Sequence, residues 1–289
     1  MNNIVTKKFG NLTMYLDLND GGISRALYTN GDREKIFMGI LRNTVKEGMT
    51  CIDLGANIGY ATIHMLDRAG QSGIVYAIEP DEHNINLLKR TIEANNFTNC
   101  EIAKCAISDI NGELDFWIAA KPNLNSVKKT KHSIRKEVVS CYTLEKFLEG
   151  KKYPNFIKMD VEGHEVKIFE GAYEYFKNNN DGKTYILVEV HPHYYDEDNN
   201  FEKILKKYFE IGFKPEFVVS TPVPNPKLFV EAGYEPLAQI PTDGFIRGLY
   251  KDIKEDDLLR FACHENIEGT SKKIVRSFLI KREEKCLDV

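Results

Sequence analysis

The sequence predicts a doubly wound α/β fold on a mostly parallel sheet, and three stretches carry that expectation. Residues 50–60, Thr-Cys-Ile-Asp-Leu-Gly-Ala-Asn-Ile-Gly-Tyr, pass from an apolar strand through two glycines into amphipathic helical sequence. Residues 75–80, Val-Tyr-Ala-Ile-Glu-Pro, bring a second apolar run to an acidic end twenty positions after Gly59. Residues 156–172 repeat the pattern: an apolar run ends at Asp160, Gly163 turns the chain, and Val166, Ile168 and Phe169 resume helical spacing. Strands that alternate with helices form βαβ units. Ligands bind such sheets beyond the carboxyl ends of the strands, where the strand order reverses.

The elements follow in order. Residues 1–48 form an N-terminal flanking segment, with a strand at 11–16, a turn at Asp20-Gly21-Gly22 and a helix over 33–45 that turns Ile36, Phe37, Ile40 and Leu41 inward. Glu34 opens that helix, where the dipole favours a carboxylate, so a capping role is expected. The main domain spans 49–289. After the strand ending at Asp53, helices are expected over 61–68 and 81–95, the second with Ile85, Leu88 and Ile92 inward. Residues 101–105 give a third strand, 106–109 a loop and 114–118 another strand. The stretch 121–136 holds Lys121, Lys128, Lys129, Lys131, His132, Arg135 and Lys136 and is expected as a solvated loop. The run from Tyr185 is almost continuously apolar, as buried parallel strands are, and ends in His191 and His193. A helix at 201–211, a strand at 212–220 and a terminal strand at 273–281 complete the sheet. An insertion at about 221–270, with a helical pattern over 255–264, has the placement of an acceptor lid.

At 289 residues the chain fits one elaborated domain. Hydrophobic residues at 42% and charged residues at 28% are ordinary for a soluble protein, and a formal charge of -4 gives no general attraction to nucleic acid or anionic membrane. The cysteines at 51, 100, 105, 141, 263 and 286 form no C-x-x-C pair, which fits a reducing compartment and offers no sulfur site for zinc. The N-terminal residues lack a signal-peptide core, and no apolar run reaches membrane-span length, so a cytoplasmic protein is expected. Oligomeric state is not specified by these features.

The glycine turn narrows the ligand. A dinucleotide site wants G-x-G-x-x-G, whereas here Asp53 is followed by Gly55-x-x-x-Gly59 alone, and the acid at Glu79 is placed to accept from both hydroxyls of a ribose. Asp53-Leu-Gly-Ala-Asn-Ile-Gly59 with Ile78-Glu-Pro80 resembles the first two motifs of class I S-adenosylmethionine-dependent methyltransferases. With Ile157-Lys-Met-Asp-Val-Glu-Gly-His-Glu165, Glu170-Gly-Ala172 and Glu189-Val-His-Pro192, residues 30–195 resemble the FkbM-type methyltransferases, His164 standing where that family usually has a small residue. The resemblance implies a Rossmann-like methyltransferase sheet with an antiparallel terminal strand and S-adenosylmethionine as donor. It places Asp53, Gly55, Ala56, Asn57 and Gly59 against the methionine part, Glu79 and Pro80 at the ribose, and Asp160 at the reactive end. The adenine contact falls to an Asp109 carboxylate or equally to the backbone of Ala106 or Ile107. The acceptor implied is a hydroxyl of a sugar, glycan or other small molecule.

A sulfonium is already a good leaving group, so transfer needs an acceptor oxygen held in line at about 3 Å and a way to remove its proton. Asp160 and His191, at neighbouring strand ends, are expected as orienter and base. Asp160, Glu189 and His191 also form a possible divalent-cation set that would lower the hydroxyl pKa. Direct base action is preferred, because a histidine beside one carboxylate suffices. For Glu165 a helix N-terminal charge role is preferred over ligation. Two other classes stay open: a nucleic-acid methyltransferase, for which the Asp/Asn-Pro-Pro-Tyr and Pro-Cys motifs and a broad basic surface are missing, and a non-catalytic S-adenosylmethionine-binding module.

Overall fold

A computed structural model describes residues 3–180, 182–264 and 273–284. The N-terminal layer is an antiparallel hairpin of β1 (Ile4–Phe9) and β2 (Leu12–Asp17) followed by helices α1 (Ile23–Asn30) and α2 (Lys35–Thr44). Neither β1 nor α1 is expected from sequence. β1 is only half-buried, so its Lys7-Lys8 pair dilutes the alternation, and α1 buries just Ser24 and Leu27.

The main domain then runs β3 (Thr50–Leu54), α3 (Tyr60–Ala69), β4 (Ile74–Ile78), α4 (Glu82–Ala94), β5 (Cys100–Ala103), β6 (Ala106–Ile107), β7 (Gly112–Ala119), β8 (Ser133–Tyr142), α5 (Leu144–Phe147), β9 (Phe156–Met159), α6 (Glu165–Asn178) and β10 (Thr184–Glu189). It continues with α7 (Phe201–Glu210), β11 (Lys214–Ser220), α8 (Lys227–Glu231), β12 (Ala238–Thr242), β13 (Phe245–Lys251), α9 (Glu255–Ala262) and β14 (Val275–Arg282). The central sheet has the order β12-β13-β11-β14-β10-β9-β3-β4-β5. β5, β4, β3, β9 and β10 are parallel, and β14 enters antiparallel beside β10. The fold is therefore the expected doubly wound α/β sheet with an antiparallel terminal strand. β3 and β9 lie side by side although a hundred residues of sequence separate them, and their carboxyl ends form the switch point of the sheet.

The period-2 pattern of each strand feeds two separate apolar layers. Ile52, Ile157 and Ile186, paired across β3, β9 and β10, face the layer that holds Phe169, Phe176 and Tyr208. Cys51 and Phe156 face the opposite layer with Leu41, Ile63 and Leu88. Among the described residues no helix is long and apolar enough to cross a membrane, and Cys51, Cys100, Cys105, Cys141 and Cys263 are free thiols. Cys286 lies outside the described residues.

Three local expectations are corrected. Ala106–Ile107 is not loop: it pairs in parallel with Cys141–Tyr142 and joins a separate three-stranded sheet, β6-β8-β7. The basic stretch is not all loop: it holds a 3-10 turn at Pro122–Leu124 and a bridge from Ser126 to Trp117, and β8 begins at Ser133. Several of its charges are engaged locally: Lys136 with Asp115 at 3.1 Å, Arg135 with Glu137 at 2.8 Å, and Lys128 Nζ donating to the Tyr194 carbonyl at 2.9 Å. Glu34 does not cap α2 with its side chain. It sits in the left-handed region at φ 49°, and the cap comes from the β12–β13 turn: Asp243 Oδ2 accepts from the Glu34 N–H at 3.1 Å, and Thr242 Oγ1 from the Lys35 N–H at 3.0 Å.

That turn, Asp243-Gly244, has both residues at positive φ, as a two-residue hairpin of this kind requires. Of the expected insertion at about 221–270, residues 221–264 are described; its β12–β13 hairpin extends the sheet edge, and 265–270 lie outside the described residues. Replacing Asp243 with alanine is expected to cost about 1 kcal/mol, as other lost helix caps do, measured by chemical denaturation.

Candidate active site

A cleft with a solvent-accessible volume of about 170 Å³ opens at the carboxyl ends of β3, β4 and β9. Gly55, at φ 74°, forms its floor. A Cβ there would stand 2.2 Å from the Asp160 carbonyl oxygen, so only glycine lets the two strand ends approach this closely. Asn57, also left-handed at φ 50°, donates its N–H to Glu79 Oε2 at 2.8 Å. Glu79 is buried, accepts from the Asp81 N–H at 3.0 Å and the Asn84 amide at 3.3 Å, and is pushed up to about 7 by burial.

Of the residues expected in the donor site, Gly55, Ala56, Asn57, Glu79, Pro80, Ala106, Ile107 and Asp160 line the cleft; Asp53, Gly59 and Asp109 do not. Asp53 is fully buried beneath it, accepting from the Thr62 hydroxyl at 2.6 Å and paired at 3.0 Å with Lys158, its register partner on β9. Lys158 also donates to the Gly55 carbonyl at 2.7 Å. Asp53 thus fastens the glycine turn from below. Gly59 caps α3 at φ 92°, and a Cβ there would stand 2.4 Å from the Leu88 side chain, so it serves helix packing. Asp109 turns away to Lys167 at 3.3 Å, leaving Ala106 and Ile107 to face the cleft. His164 also lines it, bonded to Ser108 Oγ at 3.0 Å and lowered to about 4 by burial, so it is neutral at physiological pH.

The other end is crowded with charge. Glu34, Asp160, Glu162, Glu189 and Arg276 all line it. Arg276, from β14, binds Glu189 Oε1 at 2.6 Å and Glu34 Oε1 at 3.2 Å. Glu162 is held left-handed at φ 48°, a strained conformation for a non-glycine residue, and the buried Ser126 hydroxyl donates to its carbonyl at 2.9 Å. Burial, then Asp160, pushes Glu162 up to about 8. Asp160 is raised by burial and by Glu189, and its buried Oδ1 has no hydrogen-bond partner.

His191 does not line the cleft. It stands behind this wall, 4% exposed, with Nδ1 2.7 Å from Glu165 Oε1 and Nε2 3.4 Å from Glu189 and 3.5 Å from Glu162. Burial acts against its charge, but Glu165 and Glu189 outweigh burial and hold the imidazole well above its ordinary value. An imidazolium has no lone pair to offer, so the expectation that His191 is the base does not fit this geometry. Glu165, the first residue of α6, is correspondingly held below its usual range: burial opposes this, but His191 prevails. It also accepts from the Gly163 N–H at 3.0 Å and the Tyr195 hydroxyl at 3.1 Å. Donor atoms of Asp160, Glu189 and His191 do lie within 4.8 Å of one another.

Sequence reasoning missed Arg276, Lys158 and the cleft-facing position of Glu34. The signal for Arg276, a cation inside the apolar terminal strand, was present, but nothing in the sequence says which acids it meets.

Residues 53–215, more than half of the chain, match the Methyltransferase FkbM domain. The chain belongs to the FkbM methyltransferase family. Among solved structures, an S-adenosylmethionine-dependent O-methyltransferase from Thermotoga maritima is similar at 15% identity and TM-score 0.42, covering 100% of this chain and 79% of that one. TYW2 of M. jannaschii in complex with AdoMet is similar at 14% and 0.43, covering 98% and 88%. Precorrin-6y C5,15-methyltransferase from Geobacter metallireducens is similar at 8% and 0.41, covering 85% and 87%. No curated protein matches the sequence. FkbM-family membership makes S-adenosylmethionine the donor, and the residues present fit that molecule: Glu79 lines the cleft beside the glycine turn, and Asp160, which lines it too, keeps a carboxylate oxygen without a hydrogen-bond partner.

Proposed function

We propose that this FkbM-family protein transfers a methyl group from S-adenosylmethionine to a hydroxyl of a sugar, glycan or similar small molecule, with Glu162 taking the hydroxyl proton. The observation that carries the reading is the acid-rich end of the cleft, where Asp160 and Glu162 follow β9 and line the wall, Asp160 packing its carbonyl against Gly55. Glu79 and Asn57, with the backbone of Ala106 and Ile107, hold the nucleoside part. The donor supplies an already activated methyl group. What the protein adds is an in-line position for the acceptor oxygen and a carboxylate for its proton. Glu34, Glu189 and Arg276 offer acceptors and a fixed guanidinium for neighbouring hydroxyls. An end so lined repels phosphates, which weighs against nucleic acid as the acceptor.

Isotope-labelled donor incubated with glycan, lipid-linked sugar, small-molecule and RNA pools tests the reading; label on a nucleobase nitrogen or carbon overturns it. Glu162 acts as base only when ionised, so turnover is expected to rise with pH through about 8. Glu162→Gln should lower it about a hundredfold and remove that rise. A second route would place a divalent cation among Asp160, Glu189 and His191, whose ligand atoms lie within 4.8 Å of one another. With Arg276 on Glu189 and a proton on His191, the expected result is that chelators leave turnover unchanged.

A further inference from the structure

We infer that Glu162 and Asp160 make the donor site selective for charge, so that it holds cationic S-adenosylmethionine more tightly than its neutral product S-adenosylhomocysteine. The inference rests on the donor site proposed above and not on the identity of the acceptor. The cations nearest the reactive end are already engaged. Arg276 is divided between Glu189 and Glu34. Lys158 is bound to Asp53 and to the carbonyls of Leu54 and Gly55. His191 has its closest contact with Glu165 at 2.7 Å and reaches Glu162 only at 3.5 Å. Among the described residues Asp160 has no ion pair of its own, and its Oδ1 is buried without a hydrogen-bond partner.

Burial and neighbouring acids oppose ionisation of Asp160 and Glu162, with only partial relief from Lys158, His191 and Arg276, and a positive ligand group placed beside the ionised carboxylates offsets that cost. Donor and product share the adenosine, the ammonium and the carboxylate of the methionine part. They differ at the sulfur, a sulfonium before transfer and a thioether after it. Interactions common to both cancel in the comparison, and the response of the acidic end to that one charge remains. Transfer would then itself weaken the grip on the product and favour its release.

The experiment is calorimetric titration of the purified protein, at a pH above the Glu162 value of about 8 so that its carboxylate is ionised, with S-adenosylmethionine, S-adenosylhomocysteine and sinefungin, an analogue that carries a protonated amine near the position of the sulfonium. The wild-type protein should bind the two cationic ligands about tenfold more tightly than S-adenosylhomocysteine, a difference of about 1.4 kcal/mol. Glu162→Gln keeps the size of the side chain and should lose most of that margin, with S-adenosylhomocysteine affinity unchanged within about twofold. Retained product binding also shows that the variant folds. Equal wild-type affinity for charged and neutral ligands overturns the inference while leaving the donor site standing, and so does a variant that weakens all three ligands alike. The wild-type ordering is decisive even if the variant does not fold. Failure of any of the three to bind the wild-type protein overturns the donor site itself.

Discussion

Replacing His191 with alanine is expected to destabilise the protein by about 3–5 kcal/mol, a large share of a typical total of about 5–15 kcal/mol. The imidazolium is 4% exposed, and the Glu165 carboxylate 2.7 Å away is fully buried. Removing the cation leaves Glu165 and Glu189 ionised against fewer partners or forces one of them to take up a proton. The pH dependence has a definite sign. The folded His191 titrates above its ordinary 6.5, so its contribution is complete below about that pH and disappears as pH rises through the folded value. Glu165 is held below 4.5, so its contribution is present above that pH and is lost as pH falls through its folded value. Denaturant titrations across pH should therefore show wild-type stability falling on the alkaline side, and the alanine variant should lack most of that fall. A variant less than about 1 kcal/mol weaker, with normal cofactor affinity and no turnover, would return His191 to the role of base.

Gly55→Val is expected to reduce S-adenosylhomocysteine affinity more than about a hundredfold. The new Cβ would sit 2.2 Å from the Asp160 carbonyl oxygen and 3.6 Å from Val161, at a φ of 74° that valine tolerates poorly. Backbone cannot yield as a flexible side chain does, so the end of β9 must move and carry Asp160 with it. Gly59 gives the contrast: its added Cβ would meet the Leu88 side chain on α4, so Gly59→Ala should lower thermal stability more than ligand affinity. Calorimetry with S-adenosylhomocysteine, together with melting curves for both variants, separates the two effects. Wild-type affinity in Gly55→Val would remove the glycine floor from the donor site.

The order of strands and helices was legible because each βαβ unit announces itself locally. Apolar runs such as residues 75–78 and 185–190 end in acids or histidines followed by proline, and glycines mark the turns after the runs that end at Leu54 and Met159. Glu79 was legible for the same reason, since a carboxylate twenty residues past a glycine turn is a spacing that one supersecondary unit fixes by itself. Pieces outside that logic were not legible. The two residues of β6 are strand only because β8, thirty-five positions later, offers them partners. Glu34 presents a helix-opening acid to the sequence, yet its N–H is capped by Asp243 and its carboxylate serves Arg276, both more than two hundred residues away.

The site divides in the same way. Sequence alone determined the glycine floor, the acid beside it and the presence of Asp160, Glu162, Glu189 and His191 at neighbouring strand ends, because backbone geometry and strand polarity act over short stretches of chain. Tertiary structure decided what those groups do to one another. Protonation is set by the sum of burial and nearby charge, and for His191 that sum comes from Glu165 on α6 and Glu189 on β10. The same accounting engages Asp53 with Lys158 beneath the floor and leaves a carboxylate oxygen of Asp160 without a partner.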